Sequence, residues 1–271
     1  MRYELVVCDL SGTTIADGDA VNRCLRKALS RAGLVATPAA VDRVMGLPKP
    51  ESLRLLIEEF GGADRERLLG KLEAIHADFV SLMIDCYERD SNLREVEGTS
   101  SVFQTLKNRG VRVAVDTGFS RKIADILIAR TRWVEEGLVA ASAASDDVPR
   151  GRPYPDMIQY IMYQLGVNDP ARVVKIGDTP ADLNEGTAAG CGLVIGVTSG
   201  THTKEQLAQF PHDRLVESIR DLPSVLFPGE SIEIDRRDQE RSRADRSDRG
   251  KRDRSTLEPV RSIRSDAIET D

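Results

Sequence analysis

The sequence has few aromatic residues and no long apolar run, and each shortage excludes a class of protein. Aromatic residues make up 4% of the 271 positions. No uninterrupted apolar stretch approaches the roughly 18 residues that a membrane-spanning helix needs. Met1 leads directly into a strand-like segment, without the charged and apolar regions of a secretory signal peptide. We therefore expect a globular protein of the cytoplasm.

Cysteines and histidines are also sparse. The three histidines form no HExxH pattern and no two cysteines have CxxC spacing, so a zinc site would lack ligands. The cysteines fall short of a secreted disulfide scaffold, and we expect them to be reduced and mostly buried. Any bound metal should be a hard cation with oxygen ligands. The four cysteines are Cys8, Cys24, Cys86 and Cys191.

Charge is unevenly distributed. The sequence has a net charge of −6, but residues 235–256 contain 9 basic and 6 acidic side chains, which leaves −9 for the rest. An acidic body does not favour nucleic acid as a ligand. Residues 229–271 lack aromatic residues and apolar periodicity, which predicts a disordered charged tail. The tail either only aids solubility, as its interleaved acidic residues favour, or contacts nucleic acid or an acidic partner.

Short apolar runs alternate with segments of helical periodicity. This alternation predicts right-handed βαβ units, and therefore an α/β fold with a doubly wound, Rossmann-like parallel sheet. Ligands of such sheets bind beyond the carboxyl ends of the strands, where three of the runs end in small polar and acidic residues. The strand-like runs are 4–9, 111–118, 138–145, 172–179 and 193–200.

Residues 15–95 have helical spacing throughout and no strand-like alternation. They predict an α-helical cap domain, inserted after the first strand, that can close over the rim of the sheet as a lid. We expect the core domain to comprise residues 1–14 and 96–228, followed by the tail at 229–271.

Acidic residues follow two of the predicted strands. Asp9 ends the first run, Asp178 lies near the end of the run 172–179, and Asp182 follows four residues later. An aspartate at such a position either caps the next turn or acts as a nucleophile or metal ligand. The three carboxylates could share one cation. Because Mg²⁺ prefers carboxylate, carbonyl, water and phosphate oxygens, we expect a magnesium site.

Motifs around these residues resemble those of the haloacid dehalogenase superfamily. The four motifs are DLSGTT at 9–14, Thr117 in VDTG, Arg152 in GRPYP, and DTPAD at 178–182. Within that superfamily the sequence is similar to the phosphonoacetaldehyde hydrolase (phosphonatase) family in SGTT at 11–14, MGLPK at 45–49 and DDVPRGRPYP at 146–155. The resemblance covers residues 1 to about 225. It implies the superfamily's core with an inserted cap.

The resemblance implies a Mg²⁺-dependent hydrolase that cleaves the carbon–phosphorus bond of phosphonoacetaldehyde or a related 2-oxoalkyl phosphonate. In such an enzyme Lys49 forms a Schiff base with the carbonyl and Asp9 becomes an aspartyl phosphate. The apolar, proline-bracketed bend around Lys49 favours a neutral amine, and a solvent-facing lysine is the alternative. The family's dimers imply a homodimer. The implied metal ligands are Asp9, the Ser11 carbonyl and Asp178, with Asp182 in support, and the implied substrate-binding residues are Thr117, Gly118, Arg152 and Met45.

The chain departs from both patterns. Ser11 stands where the superfamily's phosphatases have a second aspartate that protonates the leaving group, and a serine hydroxyl is too weak an acid for that role. Phosphonatase, which expels carbon, also lacks this aspartate. However, Ser52 and Phe119 stand where phosphonatase has a histidine and a tyrosine. These differences leave the exact substrate open.

Two alternatives remain open. The first is a phosphatase or phosphotransferase of the same superfamily that acts on a small organic phosphate with a good leaving group. The second is an inactive scaffold that binds partners through its charged tail. An inactive site would have no physical need for Asp9, Thr117 and Asp178 together.

Overall fold

The computed structural model describes residues 2–16, 18–89 and 93–230. The predicted tail therefore lies outside the described residues, except for Gly229 and Glu230. Within the described ranges, no helix is both long enough and apolar enough to cross a membrane.

A parallel sheet at the centre of the fold confirms the predicted α/β class. The strands are β1 (Leu5–Asp9), β2 (Ile15–Ala16), β3 (Arg94–Glu95), β4 (Arg112–Thr117), β5 (Ala141–Ala144), β6 (Val173–Gly177), β7 (Leu193–Val197) and β8 (Arg214–Val216). Six of them form one sheet in the order β5-β4-β1-β6-β7-β8, in which every neighbouring pair is parallel. Because β4, β1 and β6 are parallel neighbours, their carboxyl ends lie side by side. The strand order reverses at β1, which is where ligands of such sheets bind.

Helices cover both faces of this sheet. Along β1, Val6 and Cys8 pack into one apolar cluster, whereas Leu5 and Val7 pack into another. Burial on both faces explains why the strands are continuous apolar runs in the sequence. The α-helices are α1 (Ala20–Arg31), α2 (Pro38–Asp42), α3 (Lys49–Phe60), α4 (Arg65–Leu69), α5 (Leu72–Arg89), α6 (Thr99–Asn108), α7 (Arg121–Ala129), α8 (Asp156–Leu165), α9 (Pro180–Ala188), α10 (Lys204–Leu207) and α11 (Leu222–Leu226), and short 3-10 helices span Gly62–Asp64, Pro170–Arg172 and Ile219–Asp221.

Helices α1–α5 are inserted between the two strands of a small antiparallel ribbon, β2–β3. The ribbon pairs Ile15 with Glu95, at the two ends of the predicted insertion. The long helix α5 packs against α1 and α3. It does so through one apolar stripe at helical spacing, formed by Ile75, Phe79, Leu82 and Met83. That these helices are a separate cap domain stays a prediction.

Four strands differ from the sequence-based expectation, and two of them are the short β2 and β3 at the ends of the segment predicted to be helical throughout. β5 spans Ala141–Ala144 rather than 138–145, because the amides of Leu138 and Val139 both donate to the carbonyl of Trp133 and not to β4. β8 is not predicted at all. It has three residues, the first of them an exposed arginine, and so carries no apolar run.

Candidate active site

Three aspartates lie at the carboxyl ends of adjacent strands. Asp9 is the last residue of β1, Asp116 is the penultimate residue of β4, and Asp178 directly follows β6. Asp9 and Asp116 are register partners in the parallel ladder. All three side chains are buried. The sheet thus brings the predicted residues Asp9 and Asp178 to one rim, together with Asp116, which the sequence motifs do not single out.

Close contacts fix the position of Asp178. The Thr201 amide donates to its Oδ2 at 2.7 Å, and the Thr13 hydroxyl donates to its Oδ1 at 3.2 Å. Gly12 has a φ of +93°, and a Cβ at Gly12 would lie 2.3 Å from Asp178 Oδ2. Burial raises the pKa of Asp178 to about 6, and the nearby Asp182 adds to the shift. Glycine at position 12 therefore lets the turn after β1 approach this carboxylate.

The two carboxylate oxygens of Asp182 have different neighbours. Thr179 caps α9: its hydroxyl accepts from the Asp182 amide, and the Asp182 carboxylate accepts from the Thr179 amide at 3.1 Å. This capping box occupies Oδ2 of Asp182. The other oxygen, Oδ1, lies 3.0 Å from Arg152 Nη1 and 3.2 Å from Lys175 Nζ.

Arg152 connects four buried carboxyl groups. Its Nη1 donates to Asp9 Oδ1 at 2.6 Å, and its Nη2 donates to Asp116 Oδ1. Its Nε donates to Glu185 Oε2 at 2.9 Å. A guanidinium has five N–H groups. Three of them donate to carboxyl oxygens, and Asp182 Oδ1 lies beside Nη1 without forming a hydrogen bond, so at most two N–H groups of Arg152 remain for another partner.

Lys175, on β6, carries a second buried positive charge. Its Nζ donates to the two oxygens of Asp116 at 2.5 and 2.7 Å, and lies 3.0 Å from Glu185 Oε2. The two cations and the carboxyl groups around them are each at most 4% exposed. We refer to these residues as the buried charge cluster: Asp9, Asp116, Arg152, Lys175, Asp182 and Glu185.

The carboxyl groups of the cluster differ in pKa. Burial raises the pKa of Asp9 well above its usual value, although Arg152 opposes the shift. Burial, followed by the charge of Asp116, raises the pKa of Glu185 to about 8. Burial also acts on Asp116, but Arg152 and Lys175 outweigh it, so the pKa of Asp116 is lowered. The two pKa shifts therefore have opposite directions: they favour the anionic form of Asp116 and the protonated form of Glu185.

Asp9, Asp178 and Asp182 could together hold a metal ion, because one ligand oxygen from each lies within 4.8 Å of the others. Buried carboxylates suit a hard cation such as Mg²⁺. The raised pKa values of Asp9 and Asp178 indicate that further positive charge would stabilise their anionic forms. Three carboxyl groups of the buried charge cluster also have oxygens within this distance of one another, but Lys175 already contacts all three.

Other predicted site residues lie in the turns after β1 and β4. Ser11 begins a tight turn in which the Gly12 amide donates to the Ile15 carbonyl at 2.9 Å. Thr117 is buried, and its Oγ1 accepts from the Phe119 amide at 3.2 Å. The Ser11 carbonyl as a metal ligand and Thr117 as a phosphoryl ligand stay predictions.

The bend at residues 45–48, between α2 and α3, packs directly against this rim. A Cβ on Gly118 would lie 2.6 Å from the Gly46 carbonyl oxygen, and a Cβ on Gly46 would lie 2.1 Å from Thr179 Oγ1. Both positions therefore exclude side chains larger than glycine. The predicted residue Met45 is buried beside Gly46, so the bend brings Met45 and Gly118 into one region.

Lys49, the first residue of α3, is 4% exposed. Its Nζ donates to the Leu47 carbonyl at 3.2 Å and lies 5.2 Å from the centroid of the Phe119 ring. Phe119 in turn meets Tyr87 of α5 edge-on, with the ring centroids 6.3 Å apart. The solvent-facing alternative for Lys49 is therefore wrong: its amine lies between the inserted helices and the loop that follows β4.

Ser52, which stands where the phosphonatase pattern has a histidine, and His76 both lie near Lys49. The buried Ser52 donates to the Val44 carbonyl at 2.9 Å, and so holds the bend that precedes Lys49. His76, on α5, interacts electrostatically with Lys49: burial lowers its pKa, Asp146 raises it and Lys49 lowers it. A neutral imidazole therefore lies near Lys49, although its sequence position gives no sign of this.

The motifs assign no role to Asp116, although it lies in VDTG, and they do not include Lys175 or Glu185. A signal does exist for the first two, since each is a charge within an otherwise apolar strand. A charge buried in a sheet requires a partner of opposite sign. The sequence could thus have predicted that Asp116 and Lys175 each have a buried partner of opposite charge, but not which residue that partner is.

Comparison with known proteins agrees with this arrangement. Residues 3–190 match the family model of haloacid dehalogenase-like hydrolases. The phosphonoacetaldehyde hydrolase of Bacillus cereus (strain B4264) is 29% identical over 231 residues, which cover 81% of this chain and 86% of that protein.

Solved structures share the fold. A phosphonoacetaldehyde hydrolase-like protein from Oleispira antarctica aligns with a TM-score of 0.71 at 23% identity, over 86% of this chain and 96% of that chain. A predicted phosphoglycolate phosphatase from Haemophilus somnus aligns with a TM-score of 0.65 at 18% identity, over 83% of this chain and 99% of that chain. At these identities the structures establish a common fold and not a common substrate.

Proposed function

Because the chain belongs to the haloacid dehalogenase-like hydrolase family, we propose that it cleaves the carbon–phosphorus bond of phosphonoacetaldehyde or a related 2-oxoalkyl phosphonate. The observation that carries this proposal is the burial of Lys49 behind a bend that packs on the rim containing Asp9. An amine on the inserted helices and a carboxylate on the sheet can act on opposite ends of one small molecule. The name of the Bacillus cereus relative supports the same substrate class.

In the proposed reaction, the neutral amine of Lys49 adds to the substrate carbonyl, and loss of water with uptake of one proton from solvent gives a protonated imine. The imine withdraws electrons from the adjacent carbon. When the carbon–phosphorus bond breaks, its electron pair therefore forms an enamine and not an unstabilised carbanion. Protonation of the enamine carbon and hydrolysis of the imine then release acetaldehyde, or the corresponding ketone, and free Lys49.

Asp9 accepts the phosphoryl group. Since Arg152 binds Oδ1, we assign the attack on phosphorus to Oδ2 of Asp9. The product of this step is an aspartyl phosphate, and water hydrolyses it to phosphate and the free carboxylate. The buried charge cluster keeps Asp9 in place during both steps.

The residues that would hold Mg²⁺ are Asp9, Asp178 and the Ser11 carbonyl, with Asp182 in support. When bound, Mg²⁺ reduces the repulsion between the phosphonate and the carboxylates. The assignment of Mg²⁺ itself is part of this proposal.

For the substrate, we assign phosphoryl contacts to the Thr117 hydroxyl and the Gly118 amide, and a contact with the organic portion to Met45. Arg152 retains at most two N–H groups for a phosphoryl oxygen, because the other three donate to carboxyl groups. Its main contribution in this scheme is to hold Asp9.

The larger organisation belongs to the same proposal. Residues 15–95 act as a cap domain over a core of residues 1–14 and 96–228. The homodimer and the cytoplasmic location stay predictions.

Substrate turnover tests the proposal. With Mg²⁺ present, phosphonoacetaldehyde should yield phosphate and acetaldehyde in equal amounts, and Lys49→Ala should lose this activity by about 100-fold or more. The rival hypothesis is a phosphatase that acts on a small organic phosphate. Rapid phosphate release from phosphoglycolate or a sugar phosphate, unchanged in Lys49→Ala, would support that rival and overturn carbon–phosphorus cleavage.

A further inference from the structure

Asp9 and Asp116 are direct neighbours across two parallel strands. Adjacent strands lie roughly 4.8 Å apart, and in this ladder the two carboxylates point to the same face of the sheet, toward Arg152. Both are buried, with exposures of 4% and 0%. Two like charges at this separation repel each other and are costly to bury. The pair therefore needs a cation that contacts both members.

Arg152 is that cation. Its planar guanidinium reaches Asp9 with Nη1 and Asp116 with Nη2, so the two ends of one fork join the two strands. A guanidinium is suited to this bridge because its donors have fixed relative positions. The direction in which Nη1 points at Asp9 is consequently coupled to the position of Asp116.

Asp116 is itself held from a second side. Lys175 lies on β6, two strands from Asp116, and its side chain crosses β1 to donate to both Asp116 oxygens at 2.5 and 2.7 Å. Both oxygens of Asp116 thus have partners, and its side chain has no freedom to rotate. Asp116 is a fixed anchor, whereas Asp9 has Arg152 at Oδ1 and is expected to react through Oδ2.

We propose that Asp116 is a positioning residue for the nucleophile: it anchors Arg152, through which Oδ1 of Asp9 is held so that Oδ2 faces the phosphorus atom. This inference rests on the proposed function in that Asp9 is the nucleophile. Asp116 does not touch the substrate. Its loss should therefore reduce kcat and the rate of phosphoryl transfer while leaving KM nearly unchanged.

Asp116→Asn tests this role, since asparagine keeps the shape and one acceptor oxygen but removes the charge. Single-turnover formation of the aspartyl phosphate and kcat should both fall about 10- to 100-fold, the size expected when a reacting group is misplaced by about 1 Å. KM for phosphonoacetaldehyde should change less than about threefold, because the residue acts on orientation and not on binding.

A stability control separates positioning from a merely structural role. Val113→Ala removes a buried side chain from the same strand, remote from the buried charge cluster. It should lower Tm while kcat stays within about twofold of the wild type. If Asp116→Asn lowers Tm to a similar degree but its kcat and phosphoryl-transfer rate also stay within about threefold, the positioning role is overturned.

Asp116→Asn could fail to fold, because it leaves Lys175 without a charged partner. The double variant Asp116→Asn/Lys175→Met removes one negative and one positive charge together, a change that buried ion pairs often tolerate. It should fold and still show the reduced phosphoryl-transfer rate. A folded double variant with wild-type transfer would equally overturn the proposal.

A substrate-independent measurement distinguishes failure of this inference from failure of the proposed function. Trifluoroberyllate binds phosphorylatable aspartates as an acyl-phosphate mimic, and ¹⁹F NMR detects the adduct. If the wild type forms the adduct on Asp9 but does not turn over phosphonoacetaldehyde, the proposed function fails. The adduct should then still be weakened at least about tenfold in Asp116→Asn, and equal affinity would overturn the positioning role.

Discussion

The Nζ atom of Lys49 lies 5.2 Å from the centroid of the Phe119 ring. This contact joins the first residue of α3 to the loop that directly follows Thr117 and Gly118 at the rim of the sheet. A cation over an aromatic face is attracted by the ring, and the interaction is stronger where water is excluded. Phe119 is therefore placed to hold the protonated Lys49 side chain in position, and in the proposed reaction the amine must lose this proton before it adds to the carbonyl.

Phe119→Leu should reduce kcat/KM for phosphonoacetaldehyde about 3- to 30-fold, because leucine fills part of the space but provides no ring to hold the Lys49 side chain. Phe119→Tyr is the matched control, since it keeps the ring, and should stay within about threefold of the wild type. Steady-state kinetics with Mg²⁺ measure kcat/KM for both variants. Full activity of Phe119→Leu would show that the ring contact does not position the amine.

Gly12→Ala should impair both stability and metal binding. Gly12 and Gly166 have φ values of +93° and +65°, so alanine at either position costs about 1 kcal/mol. Only at Gly12 does the new Cβ meet Asp178 Oδ2, at 2.3 Å, whereas no atom lies within 4 Å of a Cβ at Gly166. Urea unfolding should show an extra loss of about 1–3 kcal/mol in Gly12→Ala.

Isothermal titration of Mg²⁺ should in addition show weakened binding in Gly12→Ala and unchanged binding in the Gly166→Ala control. If the two variants have equal unfolding free energies and equal Mg²⁺ affinities, the close approach of the turn to Asp178 has no energetic consequence.

Mg²⁺ binding should weaken in acid. The pKa of Asp178 is raised to about 6, first by burial and then by Asp182. Below this pH a proton occupies the carboxylate, and the metal must displace it, so the apparent affinity should fall about tenfold per pH unit. Above it Asp178 no longer contributes to the pH dependence, although the raised pKa of Asp9, a second assigned ligand, adds its own contribution. Titrations from about pH 5 to 8 check this dependence, and an affinity that is constant across that range would contradict the assigned ligand.

Glu185 should make the protein less stable as pH rises. Its pKa is about 8 in the folded protein against 4.5 when unperturbed. Between these values the folded state binds a proton that the unfolded state has released, so the free energy of unfolding falls with increasing pH. Glu185→Gln removes this proton uptake. As pH rises, the free energy of unfolding of the variant should therefore increase relative to that of the wild type by up to about 1.4 kcal/mol per pH unit.

Urea unfolding of both proteins in the presence of a chelator measures that difference. A wild type and a variant whose unfolding free energies run parallel from about pH 5 to 8 would show that Glu185 is ionised in the fold, contrary to the burial argument.

The sequence predicts the sheet well because its strands are buried on both faces and form uninterrupted apolar runs. Asp9 and Asp178 could be placed at one rim on that basis alone, since parallel strands end on the same side. The sequence could not show that Asp116 and Lys175 meet, because the two strands that carry them are separated in the sheet by β1. Contacts of this kind depend on strand order, which local periodicity does not determine.

Arg152 illustrates the same limit. It lies in GRPYP, and the motif resemblance implies a substrate-binding residue. In the structure four carboxyl groups from three elements, β1, β4 and α9, surround it. The sequence motifs assign no role to two of them, Asp116 and Glu185. The charge balance around Arg152 therefore emerges only once the strands and α9 are assembled.

Reduction of the protein with borohydride during turnover of phosphonoacetaldehyde tests the central assignment most directly. A Schiff base would be converted to a stable secondary amine, and peptide mass spectrometry should locate an ethyl or phosphonoethyl group on Lys49. The exposed Lys71 offers a control: Lys71→Ala should be labelled like the wild type, and Lys49→Ala should not be labelled. An unlabelled Lys49 in protein that still releases phosphate and acetaldehyde would contradict the account.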